Sequence, residues 1–215
     1  MKRIAVLCSN PDHPVMPFLR DWSSRQAAIA EVTICHDLAQ VRSGDFLFLI
    51  SCTQIVPPSV RQRFDHALVI HSSDLPRGRG WSPQAWAVSE GANQLTVSLI
   101  EADDPFDTGL IWHKATVILD GSELFTEWHE KLYRCWMDLM DWALVNAAIV
   151  RPSAQEGEPT YLERRRPSDS QIDPDLTIAE QFDKLRTADP DRFPAFFDLR
   201  GHRYAIRLEK IEKDS

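Results

Sequence analysis

No stretch of this 215-residue chain approaches the roughly 18 consecutive apolar residues that cross a bilayer, so a membrane-spanning helix is not expected. Met1-Lys-Arg is followed by only five apolar residues before Ser9, Asn10 and Pro11, too few for the apolar core of a secretory signal. Gly-x-Gly-x-x-Gly is absent, which argues against a nicotinamide or flavin site of the usual kind, and there is no P-loop. The four cysteines, Cys8, Cys35, Cys52 and Cys135, are widely spaced with no Cys-x-x-Cys, so neither zinc nor a disulfide framework is expected, and a reducing cytoplasm fits best. His13, His36, His66, His113, His129 and His202 show no metal-ligand spacing, and no metal is expected. Positive charge is also short. With 24 basic against 32 acidic residues and a formal charge of -8, the surface is not built to neutralise nucleic-acid phosphates.

What is present is enough apolar residue, 43%, for one main core with a small appendage. Short apolar runs at Ile4–Cys8, Glu31–Cys35, Asp45–Ile50, His66–Ile70, Leu95–Ala102 and Leu110–Leu119 read as strands. Helices are expected through about Phe18–Ala30 and over a short stretch after Pro57 and Pro58. Leu124, Trp128, Leu132, Cys135, Trp136, Leu139, Ala143 and Ala147 recur at three- and four-residue steps, the stripe of one long amphipathic helix between Ser122 and Ile149. The alternation predicts an α/β fold, a Rossmann-like, mostly parallel sheet with helices on both faces. Residues 1–150 would form the main domain. Residues 151–160, rich in Pro, Gly and charge, read as a linker, and residues 161–215 as a small C-terminal α+β subdomain with a helix near Thr177–Arg186 and strands near Ala195–Leu199 and Tyr204–Leu208.

The chemistry concentrates between Val69 and Gly109. His71 follows the apolar run Ala67–Ile70, so its imidazole emerges at a strand end, where open α/β sheets hold their ligands. His71-Ser-Ser-Asp-Leu-Pro-Arg-Gly-Arg-Gly80, with Asp107-Thr-Gly109 further on, resembles the His-x-Ser-x-Leu-Pro and Asp-x-Gly pattern of formyltransferases that use 10-formyltetrahydrofolate. Ile50–Val56, Pro83, Trp86–Val88, Thr96–Ser98 and Arg164–Asp169 match the same family in the same order, so the resemblance covers most of the chain.

That resemblance implies transfer of a formyl group from the folate N10 to a primary amine, with His71 as oxyanion donor and Asp107 tuning His71 and carrying the amine proton. It implies a folate site at Cys52, Thr53, Gln54, Ile55, Val56 and Asp103. Substrate contacts are expected from Asn10, Ser73, Arg77, Gly78, Arg79 and Trp81: arginine matches phosphate with a planar fork, and glycine lets the backbone approach. The family asparagine two residues before the histidine is replaced by Val69, for which the hydroxyls of Ser73 or Thr53, or backbone N–H groups, are the candidate substitutes. An acidic chain ending at Ser215 leaves no room for a basic tRNA-gripping domain, which favours a nucleotide-linked amino-deoxysugar of the pseudaminic-acid type as acceptor. Glycinamide ribonucleotide transfer and a noncatalytic folate- or nucleotide-binding relative are the competing readings. Phe193, Phe196 and Phe197 suggest a homodimer surface.

Overall fold

A computed structural model describes residues 1–211, and the last four positions of the expected C-terminal unit lie outside the described residues. Its centre is a six-stranded sheet of β1 (Lys2–Leu7), β2 (Ala30–Cys35), β3 (Gly44–Leu49), β4 (Phe64–His71), β6 (Gln94–Glu101) and β7 (Ile111–Ile118), in the order β2-β1-β3-β4-β6-β7. The first four strands pair in parallel, and β6 and β7 join antiparallel. The sheet is therefore mostly parallel, as expected, with a reversal that continuous apolar runs carry no signal for. The interior strands β1 and β3 are buried on both faces from Ile4 to Leu7 and from Phe46 to Leu49, which is why they lack alternation.

One face is covered by α1 (Met16–Gln26) and α4 (Phe125–Asn146). Leu19 and Trp22 of α1 meet Trp128, Leu132, Trp136 and Met140 of α4 over Val6, Phe48 and Leu68. Truncating a buried leucine such as Leu132 to alanine should cost about 2–5 kcal/mol here. The two helices are pinned by Asp141, whose Oδ1 accepts from both Trp22 Nε1 and Gln26 Nε2 at 2.7 Å. The opposite face is thinner. It carries one-turn α2 (Pro58–Arg61) and a 3-10 turn at Leu38–Gln40, which with Val41 and Val56 cover Leu7, Leu47 and Leu49.

Between β4 and β6 the chain forms two-residue β5 (Arg79–Gly80) and α3 (Pro83–Ser89). Beyond α4, β8 (Tyr161–Leu162) pairs with β5, α5 (Phe182–Thr187) packs against α3, and β9 (Ala195–Leu199) with β10 (His202–Ile206) makes a hairpin. The helix expected at Thr177–Arg186 is thus shorter, because Gln181 uses its side chain to hold the Asp173 N–H and backbone carbonyls of the preceding turn. Arg186 of α5 is fully buried, reaching Asp183 at 2.6 Å and the Ala92 carbonyl, while its own carbonyl accepts from Trp128 Nε1. Phe196 is buried and capped by the Arg203 guanidinium, so it is not available as the dimer surface suggested by its sequence; Phe193 is exposed.

Candidate functional site

The parallel strands β1, β3 and β4 end together, and their following loops border a cleft of about 660 Å³. The β1 loop brings Asn10 and His13, the β3 loop brings Ser51 to Val56, and β4 ends in His71 and Ser72. Gly80 to Gln84 and the loop from Glu101 to Asp107 close the remaining sides, with Trp136 of α4 on the floor. The second loop is clamped by α2, since the Arg61 guanidinium pairs with Asp104 and donates to the Ala102 carbonyl at 2.6 Å.

His71 and Asp107 meet in this cleft, with Nδ1 3.4 Å from Oδ1 and side chains only 8% and 15% exposed. His71 Nε2 lies 2.8 Å from the Gly78 carbonyl. A carbonyl only accepts, so Nε2 carries a proton, and Nδ1 can donate toward Asp107 only when the ring holds its second proton. Both ring nitrogens therefore face protein partners, which differs from the expectation that His71 aims a free donor at the reacting oxygen. Asp107 sits in the left-handed region at φ 60°, a conformation disfavoured for a residue with a Cβ. Its Oδ2 accepts from the Gly80 N–H at 2.9 Å, and its carbonyl accepts from Gln155 Nε2 at 2.8 Å. Gln155 also binds the Gly109 carbonyl and accepts from Arg79 at 2.7 Å. Gly109 has no room for a side chain, because a Cβ there would run into the Glu101 carbonyl.

The expected folate residues Cys52, Thr53, Gln54, Ile55, Val56 and Asp103 all line the cleft, as do Asn10 and Trp81. Ser73, Arg77, Gly78 and Arg79 do not. Ser73 spends its hydroxyl on the Arg77 carbonyl at 2.7 Å, so it is not a substitute for the missing asparagine. Gly78 serves His71 through its carbonyl, and its N–H donates to Thr160 Oγ1. Arg79 turns its fork to Gln155 and toward the Tyr161 hydroxyl, away from any phosphate in the cleft, while Arg77 is exposed outside it. Arg164 stacks over Trp81 at 5.1 Å on the rim. Residues 151–160, expected as a linker, run against the site: Ser153 bridges Ile111, and Gln155 and Thr160 brace the loops that hold Asp107 and His71.

Sequence reasoning passed over His13, Ser72, Trp136 and Gln155 as site residues. His13 takes the Val15 N–H on Nδ1 at 3.1 Å, and burial, reinforced by Arg192, lowers its pKa to about 4, so it is neutral near pH 7. Among the described residues, no three His, Cys, Asp or Glu side chains gather as a metal site.

The model of the formyl transferase family matches residues 5–146. The chain belongs to the formyl transferase family. Methionyl-tRNA formyltransferase of Francisella philomiragia is 28% identical over 150 residues, covering 69% of this chain and 47% of that protein. The chain thus spans about half the length of the curated relatives it matches. Among solved structures, methionyl-tRNA formyltransferase from Clostridium thermocellum superposes with a TM-score of 0.80 at 22% identity, covering 99% of this chain and 94% of that one. A sugar N-formyltransferase from Shewanella sp FDAARGOS_354 gives 0.72 at 17%, covering 99% and 100%. At such identities the structural likeness establishes the formyltransferase fold, in which the matched residues 5–146 contain both His71 and Asp107.

Proposed function

We propose that this chain transfers a formyl group from 10-formyltetrahydrofolate to the amine of a nucleotide-linked amino-deoxysugar. The observation that carries the reading is the buried His71–Asp107 pair, held in a cleft whose other wall is the Cys52–Val56 loop and Asp103. That wall offers backbone groups, a carboxylate and the apolar Ile55 and Val56 to a flat polar heterocycle, a combination suited to a pterin.

In the reaction, the lone pair of the neutral amine forms an N–C bond to the formyl carbon, and the carbonyl π pair moves onto oxygen. Asp107, as carboxylate, takes the proton from the new N⁺–H. The oxygen lone pair then re-forms the carbonyl, the C–N10 bond breaks, and Asp107 returns its proton to N10, giving a formamide and tetrahydrofolate. The Gly80 N–H fixes one Asp107 oxygen and leaves the other toward His71.

The amino-sugar reading is supported by the fold shared with a sugar N-formyltransferase, by the acidic chain, and by Asn10 and the Arg164-covered Trp81 at the mouth, suited to a heterocyclic base and its polar linkage. The four cysteines are free thiols, which supports a cytoplasmic setting. The test is product mass after incubating the chain with 10-formyltetrahydrofolate and nucleoside-diphosphate amino-deoxyhexoses, with glycinamide ribonucleotide alongside. Formylated sugar that disappears in His71→Ala and Asp107→Ala is the expected result. Formylated ribonucleotide would move the acceptor to that class, and tetrahydrofolate binding without transfer would sink the catalytic reading.

A further inference from the structure

His71 faces protein partners with both ring nitrogens, and Val69 presents only methyl groups on the same strand. An oxygen that gains charge during formyl transfer therefore needs a donor from elsewhere in the cleft. The residue next to His71 meets that need. Ser72 lines the cleft yet is only 6% exposed, and its Oγ accepts from Trp136 Nε1 at 3.1 Å. A hydroxyl has one proton to give and two lone pairs to receive with. With one lone pair taken by the indole, the proton of Ser72 has no acceptor among the described residues. Thr53 and Ser51 also line the cleft, but both lie on a loop in which Ser51 has φ 46°, whereas Ser72 is fixed between the end of β4 and the middle of α4.

We propose that Ser72 is a catalytic residue that donates its hydroxyl proton, as a hydrogen bond, to the formyl oxygen, and that Trp136 is the positioning residue that orients and polarises it. Accepting a hydrogen bond strengthens a hydroxyl as donor, and the Ser72 proton, not spent on the indole, is available at the cleft that Ser72 borders. The proton stays on Ser72 throughout. As the amine adds, the bond to the formyl oxygen shortens with the growing charge, and it relaxes when the carbonyl re-forms. The Trp136 indole N–H is buried, so the pair also has an ordinary structural use that the experiment must separate from the catalytic one.

This inference rests on the formyltransferase reading, and the experiment tells the two apart. Wild-type chain, Ser72→Ala, Trp136→Phe and the double variant are compared with 10-formyltetrahydrofolate and the amino-sugar panel, reading kcat, KM, tetrahydrofolate binding and the thermal midpoint. Ser72→Ala should lower kcat by about 10²–10³, the effect of removing one oxyanion donor, with little change in KM or tetrahydrofolate binding. It should also lower the thermal midpoint, because the indole N–H is left unpaired, and the double variant should recover that midpoint since neither polar group remains. The rate should not recover with it. Ser72→Thr, which keeps a hydroxyl, should retain more rate than Ser72→Ala. Wild-type kcat in Ser72→Ala, or a rate in the double variant that returns with the midpoint, would overturn the proposal while leaving the formyltransferase reading intact. A wild-type chain that transfers to no acceptor overturns both.

Discussion

Acidification from pH 7.5 to 5.5 should destabilise this protein through two histidines buried in neutral form. His13 packs edge-on to Tyr133 at 6.0 Å between ring centroids, and His129 stacks on Trp128 at 3.5 Å while Nδ1 donates to the Phe125 carbonyl. Burial is the largest cause in both, lowering His13 to about 4, with Arg192 adding repulsion, and His129 to about 3. Charged groups around the pair are Arg192, which disfavours protonation of both rings, and Asp189, which favours it at His129. Both folded values lie below the roughly 6.5 of the unfolded chain. Stability is therefore full above that value and falls as the unfolded state alone takes up protons, until the folded values are reached. At pH 5.5 each ring should cost roughly 1 kcal/mol, the pair roughly 2 to 3. Asp189, whose carboxyl is held low by Arg192 and backbone N–H groups despite opposing burial, contributes stability that is lost only as pH falls below the ordinary carboxylate value, so it does not confound this window. Urea unfolding at the two pH values should show the wild-type midpoint falling by about 1 M, taking a slope of 2 to 3 kcal/mol per molar. His13→Gln/His129→Gln, which cannot titrate, should lose most of that pH dependence whatever its starting stability. An equal fall in wild type and double variant would refute the argument.

Two further expectations concern the frame around Asp107. Gly80→Ala places a Cβ 2.5 Å from the Leu162 carbonyl on a backbone at φ 103°, so it should disrupt the β5–β8 pairing and the N–H that holds Asp107; circular dichroism melts and kcat should both fall. Gln155→Leu removes the amide joining Arg79 to the Asp107 and Gly109 carbonyls, and should lower kcat by about tenfold or more through misplacement of the carboxylate while tetrahydrofolate binding persists. Unchanged kcat in Gln155→Leu would mean that the left-handed turn at Asp107 holds itself.

Much of the frame was legible because strand and helix periods depend on local apolar spacing. The long α4 stripe and all six strands of the main sheet lie within a few residues of their expected places, and β9 coincides at Ala195–Leu199. The antiparallel turn at β6 was not legible, since a buried strand looks the same in either direction. Nor were β5 and β8, whose two residues each are too short to show a period. In the site, His71 and Asp107 stood out because they occur in order within one motif. Gln155 and Thr160 did not, because a segment rich in Pro, Gly and charge reads as solvent-facing, and its role consists of single hydrogen bonds to residues 46 to 82 positions away. Arg79 misled for the converse reason. Its residue type suits a phosphate, but the β5–β8 ladder turns it toward Gln155.

Val69 offers a way to ask whether the site has lost a donor or moved it. Its side chain packs with Cys52, Ala67 and Ala102 on the thin face of the sheet and borders the cleft, two residues before His71 on the same strand. Asparagine is close to valine in volume, so Val69→Asn asks mainly for the burial of an amide at a half-buried position, which should cost about 1–3 kcal/mol where that amide finds no partner. If Ser72 already supplies the donor, a second one bordering the same cleft adds little, and Val69→Asn in the wild-type background should leave kcat within severalfold. In the Ser72→Ala background the same substitution should recover a large part of the lost rate, because an amide donor then borders the cleft in place of the lost hydroxyl. The two effects would be non-additive, as expected of groups that serve one oxygen. A rise in kcat from Val69→Asn that is the same with and without Ser72 would mean that the two positions act on different atoms, and that the formyl oxygen in this protein is left without a side-chain donor.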